Sequence, residues 1–395
     1  MMANYHSRSH ALRVHAGVGA LDELENELRQ AGVGRALLLT GRTVAKDQAW
    51  MDDLQRQSGG RIAGLFCGIG KEAPLEDLQG AVCRAREIQA DGLIALGAGS
   101  VIKAARVVAI LLAEPGPVDA LVTQYPAGGA AVSPRLLAPK LPIFNILTAP
   151  TSAQARGGSA VLGGGTRLEF FDPKTRPRCV FWDTRALASA PPSLAVRTSF
   201  TVYWRALMSM ASVARANPLV QASRRQAWTI AQKAFASQRP FTPDVLLDLC
   251  AAALLQNRDE DDGGRPMDAH SIASQAYALA AAVFHVCPQV SQADAYAALT
   301  PAIIQLAPDS ADELLAGLAQ ALGGSPDRAS LAARLRREWR QWGLSTALDR
   351  LGVREAHWPA IRQIASHNFN ADRDGQFAAQ AGRMRALFDA ALTGA

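Results

Sequence analysis

A chain of 395 residues is too long for one ordinary domain and suits two. Its 49% hydrophobic and 19% charged residues support a large buried core and exclude a disordered chain. The formal net charge of +6 comes from arginines scattered among Asp and Glu, which reads as a solvated mixed surface and argues against a nucleic-acid partner; the same excess of arginine suits a pocket for an anionic cofactor or substrate.

Residues 1–15 contain no apolar run, so no secretory leader is expected there. Ala36–Thr40 reads as a buried strand, residues 75–90 as an amphipathic helix, residues 92–96 as a second strand and residues 101–113 as a helix. The apolar run 107–113 is too short to span a bilayer, and no membrane association is expected. Residues 126–133, with Gly128 and Gly129, read as a surface loop, and 141–147 as another strand. Cys179–Asp183 is the last convincing strand, and Pro191 and Pro192 follow it. Helical periodicity then takes over, for example at 226–237, 243–256, 270–286 and 312–322. Residues 257–265 (NRDEDDGGR) read as a charged loop.

Buried strands alternating with helices imply a mainly parallel, Rossmann-like sheet covered on both faces. The expected fold is an α/β dinucleotide-binding domain over residues 1–190 and an all-helical domain over 191–395, with the active-site cleft between them. Five widely spaced cysteines without a CxxC pair suggest reduced thiols in a cytoplasmic protein.

The densest local chemistry is LIALGAGSVIK, residues 93–103. A strand runs into a turn of Gly97, Ala98 and Gly99, and a helix begins at once. Free N–H groups and the helix dipole at such a start attract a pyrophosphate, and glycine lets it approach. Ser100 adds a hydroxyl there. Lys103 lies early in the helix, where a cation opposes the dipole unless an anion shares the site. The same residues also suit a plain βα turn. Thr151 and Ser152 follow strand 141–147, and in a parallel sheet they fall on the same rim, at the carboxyl ends of the strands. They suit turn capping equally well.

Taken together, these segments resemble the iron-containing (group III) alcohol dehydrogenases, relatives of maleylacetate reductase, glycerol dehydrogenase and dehydroquinate synthase. GAGSVIKAAR (97–106) resembles the family's GGGSxxDxxK element, and PTSAQARGG (150–158) its PTTxGTGSE element. LRVHAGVGAL (12–21) resembles its first strand and GxGxL turn, and FWDTRAL (181–187) before Pro191 its DPxL…P element. The resemblance implies NAD(P)-dependent hydride transfer on a small carbonyl or alcohol substrate, and a homodimer. Where the family carries an acidic residue for the adenosine ribose, Thr40 is followed here by Gly41 and Arg42. Arg42, helped by Arg167, would favour a 2′-phosphate, so NADP is expected over NAD.

The resemblance also implies a divalent metal held by one Asp and three His. At the matching positions Thr201 replaces the Asp and Arg205 the first His. For the later pair one alignment gives Ala278 and Gln292, another Gln275 and Gln289. None is a metal-ligating type, so no metal is expected. Arg205 is then the candidate for stabilising a developing alkoxide, with Thr201 and Tyr203 as neighbours and His285 or His270 as a proton relay. A salt bridge filling the vacated position is the competing reading of Arg205. The arginines further suggest an anionic substrate. Two other readings stay open: a family member that binds a ligand without redox activity, and an enzyme recruited to non-redox chemistry.

Overall fold

The computed structural model describes residues 4–126, 130–265 and 270–394. The chain opens with β1 (Arg13–Gly17), α1 (Leu24–Gln30), β2 (Ala36–Thr40), α2 (Gln48–Gln57) and β3 (Ile62–Phe66). α3 (Leu75–Glu87), β4 (Gly92–Gly97), α4 (Gly99–Ala113) and β5 (Ile143–Leu147) follow. A hairpin of β6 (Gly158–Gly163) and β7 (Thr166–Phe171) precedes β8 (Cys179–Asp183). Six strands form one parallel sheet in the order β1-β8-β5-β4-β2-β3.

Alternation along these strands splits the apolar residues between two cores. Leu37, Leu39, Leu93, Ala95 and Val180 pack on one face with α3 and α4. Leu38, Ile94, Leu96, Phe144 and Phe181 pack on the other with α1 and α2. The sheet is thus buried on both sides, as the continuous apolar runs require.

From Thr184 the described residues form helices and connections only: α5 (Thr184–Ala188), α6 (Pro192–Met210), α7 (Pro218–Ala236), α8 (Pro243–Asp261), α9 (Ser271–Val286) and α10 (Gln292–Gln305). α11 (Asp312–Leu322), α12 (Arg328–Gln341), α13 (Trp358–Ala365) and α14 (Ala381–Thr393) complete the chain. Local chemistry sets several starts. Asn217 caps α7 and Thr242 caps α8, each with proline next in the chain; Ser291 caps α10 and Asp327 caps α12. Phe200, Tyr203, Phe235, Trp339 and Trp342 form an aromatic cluster in this core. The Trp204 indole stacks on Tyr296 and donates to the Thr300 hydroxyl at 2.8 Å. No helix among the described residues is long and apolar enough to cross a membrane.

Three expectations are corrected. Residues 257–261 are not loop: α8 continues to Asp261, because its charges meet arginines rather than water. Arg224 Nε donates to Asp259 at 2.6 Å, and Glu260 pairs with Arg156 and Arg205. The helix expected over 75–90 stops at Glu87, and Gln89 has a positive φ of 52°. β3 and the β6–β7 hairpin were not anticipated. Of the loop expected at 126–133, Gly128 and Gly129 lie outside the described residues; beside them Gln124 and Val132 form an antiparallel bridge.

Close backbone approach holds α11 against the end of α6: a Cβ on Gly317 would stand 2.6 Å from the Ala211 carbonyl oxygen. Gly317→Ala is therefore expected to destabilise the fold by about 2 kcal/mol through overpacking, measured by urea denaturation. An unchanged midpoint would show that the helices part freely.

Candidate active site

The parallel register sets Gly97 of β4 beside Leu147 of β5, so their following turns are neighbours at the carboxyl end of the sheet. Gly97 is forced small: a Cβ there would meet a Val101 methyl at 2.7 Å. α4 starts at Gly99 with no side chain capping its first N–H groups. A Cβ on Gly99 would lie 3.5 Å from the Thr151 hydroxyl, so the two rim segments nearly touch. These turns open into a cavity of about 600 Å³ that runs between the sheet's rim and the helices α6, α8, α9 and α10. Uncapped helical N–H groups, a glycine turn and hydroxyls on one rim are a donor set that fits a dinucleotide's phosphates.

The wall contains Ala98, Gly99, Ser100, Lys103, Thr151, Ser152, Arg167, Thr201 and His285. Gly97 lies just behind it as the last residue of β4. Thr40 is buried and donates to the Leu96 carbonyl at 2.8 Å, tying β2 to β4. Gly41 and Arg42 fall outside the wall, and Arg42 is exposed. Arg167 lies inside it, ion-paired with Glu169. The two arginines expected to share a 2′-phosphate are therefore not brought together in that wall. Glu169 occupies Arg167, while only Arg42 stands at the end of β2.

Deeper in the cavity Lys103 finds its anion. Its Nζ lies 2.7 Å from Glu72 Oε2, and the Glu72 amide donates to Ser100 Oγ at 3.1 Å. Glu72 and Ala73 both adopt the left-handed region, with φ of 61° and 53°. Side chains rarely tolerate that conformation, and it is found at sites that over-determine it. Burial works to raise the Glu72 carboxyl, yet the Lys103 ammonium holds it below the usual range, so it is ionised. His285 sits opposite, its Nε2 3.8 Å from the same carboxylate oxygen. Nδ1 is bound to the Ala281 carbonyl at 2.6 Å. Only a protonated Nδ1 can make that bond, which leaves a bare Nε2 lone pair without a protein partner. Burial lowers the His285 pKa to about 4, against the pull of Glu72, so the ring is neutral at pH 7. Glu72 carried no motif that marked it in the sequence; only its place in the wall does.

Arg205 does not line the cavity, which corrects its expected catalytic role. It is 2% exposed, donates to the Gln256 carbonyl at 3.0 Å and pairs with Glu260 at 2.8 Å. The competing salt-bridge reading describes it. Thr201, one turn earlier on α6, does reach the wall, and its hydroxyl donates to the Thr198 carbonyl at 2.7 Å. Of the positions weighed for the later His pair, Gln292 lines the cavity, and Ala278, Gln275 and Gln289 do not. Gln292 donates to the Tyr296 hydroxyl at 2.9 Å. A hydroxyl, a guanidinium and an amide are no cage for iron or zinc. Among the described residues no three His, Cys, Asp or Glu side chains converge in this cavity. The residues present therefore do not fit the divalent metal that the resemblance implies.

One such group does form elsewhere, at His15, Glu27 and Cys179 beneath β1. There Arg13 Nε already donates to Glu27 at 2.6 Å, and His15 Nε2 lies 3.0 Å from it. Burial pushes the Cys179 thiol well up, away from the thiolate a metal needs. Tyr203 points into the aromatic core, away from the cavity. His270 caps α9: Nδ1 accepts from the Ala273 amide at 3.3 Å, and Nε2 donates to the Met208 carbonyl at 2.9 Å. Neither Tyr203, expected as a neighbour of the catalytic group, nor His270, expected as a relay, reaches the cavity wall. All five cysteines are unpaired.

Fold and cavity together set a glycine turn at the carboxyl end of a parallel sheet against a cleft roofed by helices. Comparison with known proteins agrees. Residues 11–184 match the family described as iron-containing alcohol dehydrogenase. A 4-hydroxybutyrate dehydrogenase of Cupriavidus necator is 28% identical over 193 residues, 47% of this chain and 47% of that protein. Maleylacetate reductase 1 of Cupriavidus pinatubonensis is 24% identical over 220 residues, 54% of this chain and 52% of that protein. The matched segment spans about half the length of these curated relatives. Among solved structures, an archaeal halo-thermophilic alcohol dehydrogenase from a Red Sea brine pool superposes with a TM-score of 0.80 at 17% identity, covering 99% of each chain. An NADH-dependent butanol dehydrogenase of Thermotoga maritima gives 0.79 at 14% identity, covering 99% of this chain and 100% of that one. Over residues 11–184 the chain is thus similar to the iron-containing alcohol dehydrogenases, and its fold is that of the solved structures.

Two buried neutral histidines set a pH dependence. Burial lowers both His270 and His285 to about 4, against 6.5 for a free ring. Between those values the unfolded chain binds more protons, so stability is complete above pH 6.5 and falls as pH drops towards 4. Each ring contributes up to about 1.4 kcal/mol per pH unit in that window. His270→Asn keeps a capping acceptor and removes one titration. Denaturant midpoints between pH 7 and 5 should therefore fall less steeply in this variant; parallel slopes would contradict the assignment for His270.

Proposed function

We propose that this protein is an NAD(P)-dependent oxidoreductase of alcohol dehydrogenase or carbonyl reductase type that works without a divalent metal. The carrying observation is the Lys103–Glu72–His285 group, which sits in one cavity with the dinucleotide turn. Lys103 lies about one helical turn beyond Ser100, so charge and phosphate cradle share a helix. A nicotinamide dinucleotide, when bound, supplies or accepts the hydride. The chain's own groups supply the rest. Gly99, Ser100 and the Thr151–Ser152 hydroxyls hold phosphate oxygens at the rim. The Lys103 ammonium, pointed by Glu72, donates to the substrate oxygen and stabilises negative charge as it develops there. In reduction that oxygen takes the Lys103 proton, and solvent replaces it. In oxidation the same path runs backwards: the alcohol's proton goes to the deprotonated Lys103 amine, while the bare Nε2 of His285 accepts a hydrogen bond from the hydroxyl. Lys103 thereby takes the part first assigned to Arg205.

NADP is favoured over NAD on the chemistry after β2: Gly41 and Arg42 put no carboxylate near a ribose, and an exposed guanidinium suits a 2′-phosphate. The relatives' names, a hydroxybutyrate dehydrogenase and a maleylacetate reductase, support a small carbonyl or alcohol substrate.

Turnover of a panel of aldehydes and ketones with NADPH, followed by nicotinamide absorbance, tests this reading. Activity is expected to survive EDTA, and Lys103→Met should lower kcat by about a hundredfold or more. Absence of any absorbance change across the panel, or activity that appears only with added zinc or iron(II), would sink it.

A further inference from the structure

Arg106 lies on the cavity wall, is 2% exposed, and makes little use of its guanidinium. Its Nη1 donates to the carbonyls of Ala153 at 3.0 Å and Arg156 at 2.7 Å. Its Nε and Nη2 are buried with no partner. Around it stand Arg156 and Arg176, also on the wall, and Arg205 behind. Arg176 leaves Nε and Nη1 unpartnered, and so does Arg205. Among the described residues, four guanidiniums face two carboxylates here. Glu260 serves Arg156 and Arg205, and Asp261 serves Arg176 at 3.1 Å while also meeting Arg8 and His10. Asp259, the next acid on α8, is taken by Arg224.

An excess of buried cations with idle donors is costly unless an anion completes it. Burial and the neighbouring Arg156 and Arg176 lower the Arg106 pKa to about 9, which records the crowding; the group is still charged at pH 7. The coenzyme's pyrophosphate is a poor candidate for this place. Arg106 lies six residues past Ser100 on α4, so about 9 Å separates it from the phosphate-binding helix start. The cluster borders the end of α8 through Glu260 and Asp261.

We infer that Arg106, Arg156 and Arg176 form a subsite for a small oxyanion, the carboxylate or phosphate end of the substrate, with Arg205 and Glu260 fixing its geometry. This deepens the oxidoreductase reading and rests on it for the word substrate, but the anion site itself does not depend on redox activity. A substrate with its carbonyl at Lys103 and its anionic end at Arg106 is thus a small oxo-acid or a phosphorylated carbonyl compound. Guanidinium forks bind such oxygens in pairs, and the idle Nε and Nη2 of Arg106 form one fork.

Calorimetric titration of the whole protein, without coenzyme, tests the site directly. The probes are succinate, inorganic phosphate and the neutral succinamide at matched ionic strength. Succinate or phosphate should bind at millimolar concentration and succinamide should not; whichever anion binds identifies the source. Arg106→Met should weaken that binding about tenfold or more, corresponding to one lost charge-assisted pair. If this variant fails to fold, Arg176→Gln, at a half-buried position, carries the same expectation. Saturating NADPH should leave the Arg106-dependent binding in place. Binding of neither anion, equal binding of the amide, indifference to both substitutions, or competition by NADPH would each overturn the subsite. Anion binding without any turnover would instead count against the redox reading and leave the subsite standing. Turnover of carbonyl compounds indifferent to an anionic end would do the reverse.

Discussion

A guanidinium withdrawn from water is costly unless it is paired, and the pair of Arg205 with Glu260 joins the helices beside this cleft. Arg205 stands on α6 and Glu260 on α8, so the bond ties two helices across the buried end of the cavity. The same carboxylate takes Arg156 from the segment before β6, which fastens the helical roof to the sheet's rim. Charges that looked like a solvated loop at 257–265 are therefore the reason α8 runs on to Asp261. Where the family resemblance implies a metal, this chain has an internal salt bridge whose cation cannot be removed by a chelator.

That exchange alters the chemistry available around it. A metal would polarise a substrate oxygen from the helical side. Here the cations on the cavity wall include Lys103 on α4 and the arginines near the α8 end. Lys103 is held by Glu72 from a backbone in the left-handed region, beside a neutral His285 with one bare nitrogen. On the proposed reading the cavity offers a phosphate cradle at the glycine turn, a proton-bearing group at Lys103 and positive charge near the α8 end. A substrate that spans the last two presents its carbonyl to whatever occupies the first.

Much of this architecture was legible in the residues. Ala36–Thr40 and Cys179–Asp183 were readable to the residue because continuous apolar runs between turn signals have few other uses. Asp312–Leu322 was equally plain from its helical spacing. β3 escaped because Ile62–Phe66 carries a glycine at its centre and alternates in burial at the sheet's edge. The β6–β7 hairpin was hidden by the glycines at 157–158 and 163–165, which read as loop. In the site, the glycine turn and the hydroxyls after β5 were visible because their spacing repeats a known pattern. Arg106 and Arg156 lay within quoted segments yet stayed unremarked, since spacing does not tell a buried, half-bonded arginine from a solvated one. Glu72 could not be found from spacing at all: it enters the wall through a loop whose conformation is set by its contacts with Ser100 and Lys103.

The most direct measurement of the proposed metal-free dinucleotide cleft is a crystal structure grown with NADPH and excess zinc, with anomalous data at the zinc edge. Phosphate density is expected over the Gly97–Ser100 turn, with Arg205 still on Glu260 and no anomalous peak between Thr201 and Gln292. A zinc peak there at full occupancy, or a coenzyme lying away from that turn, would contradict it.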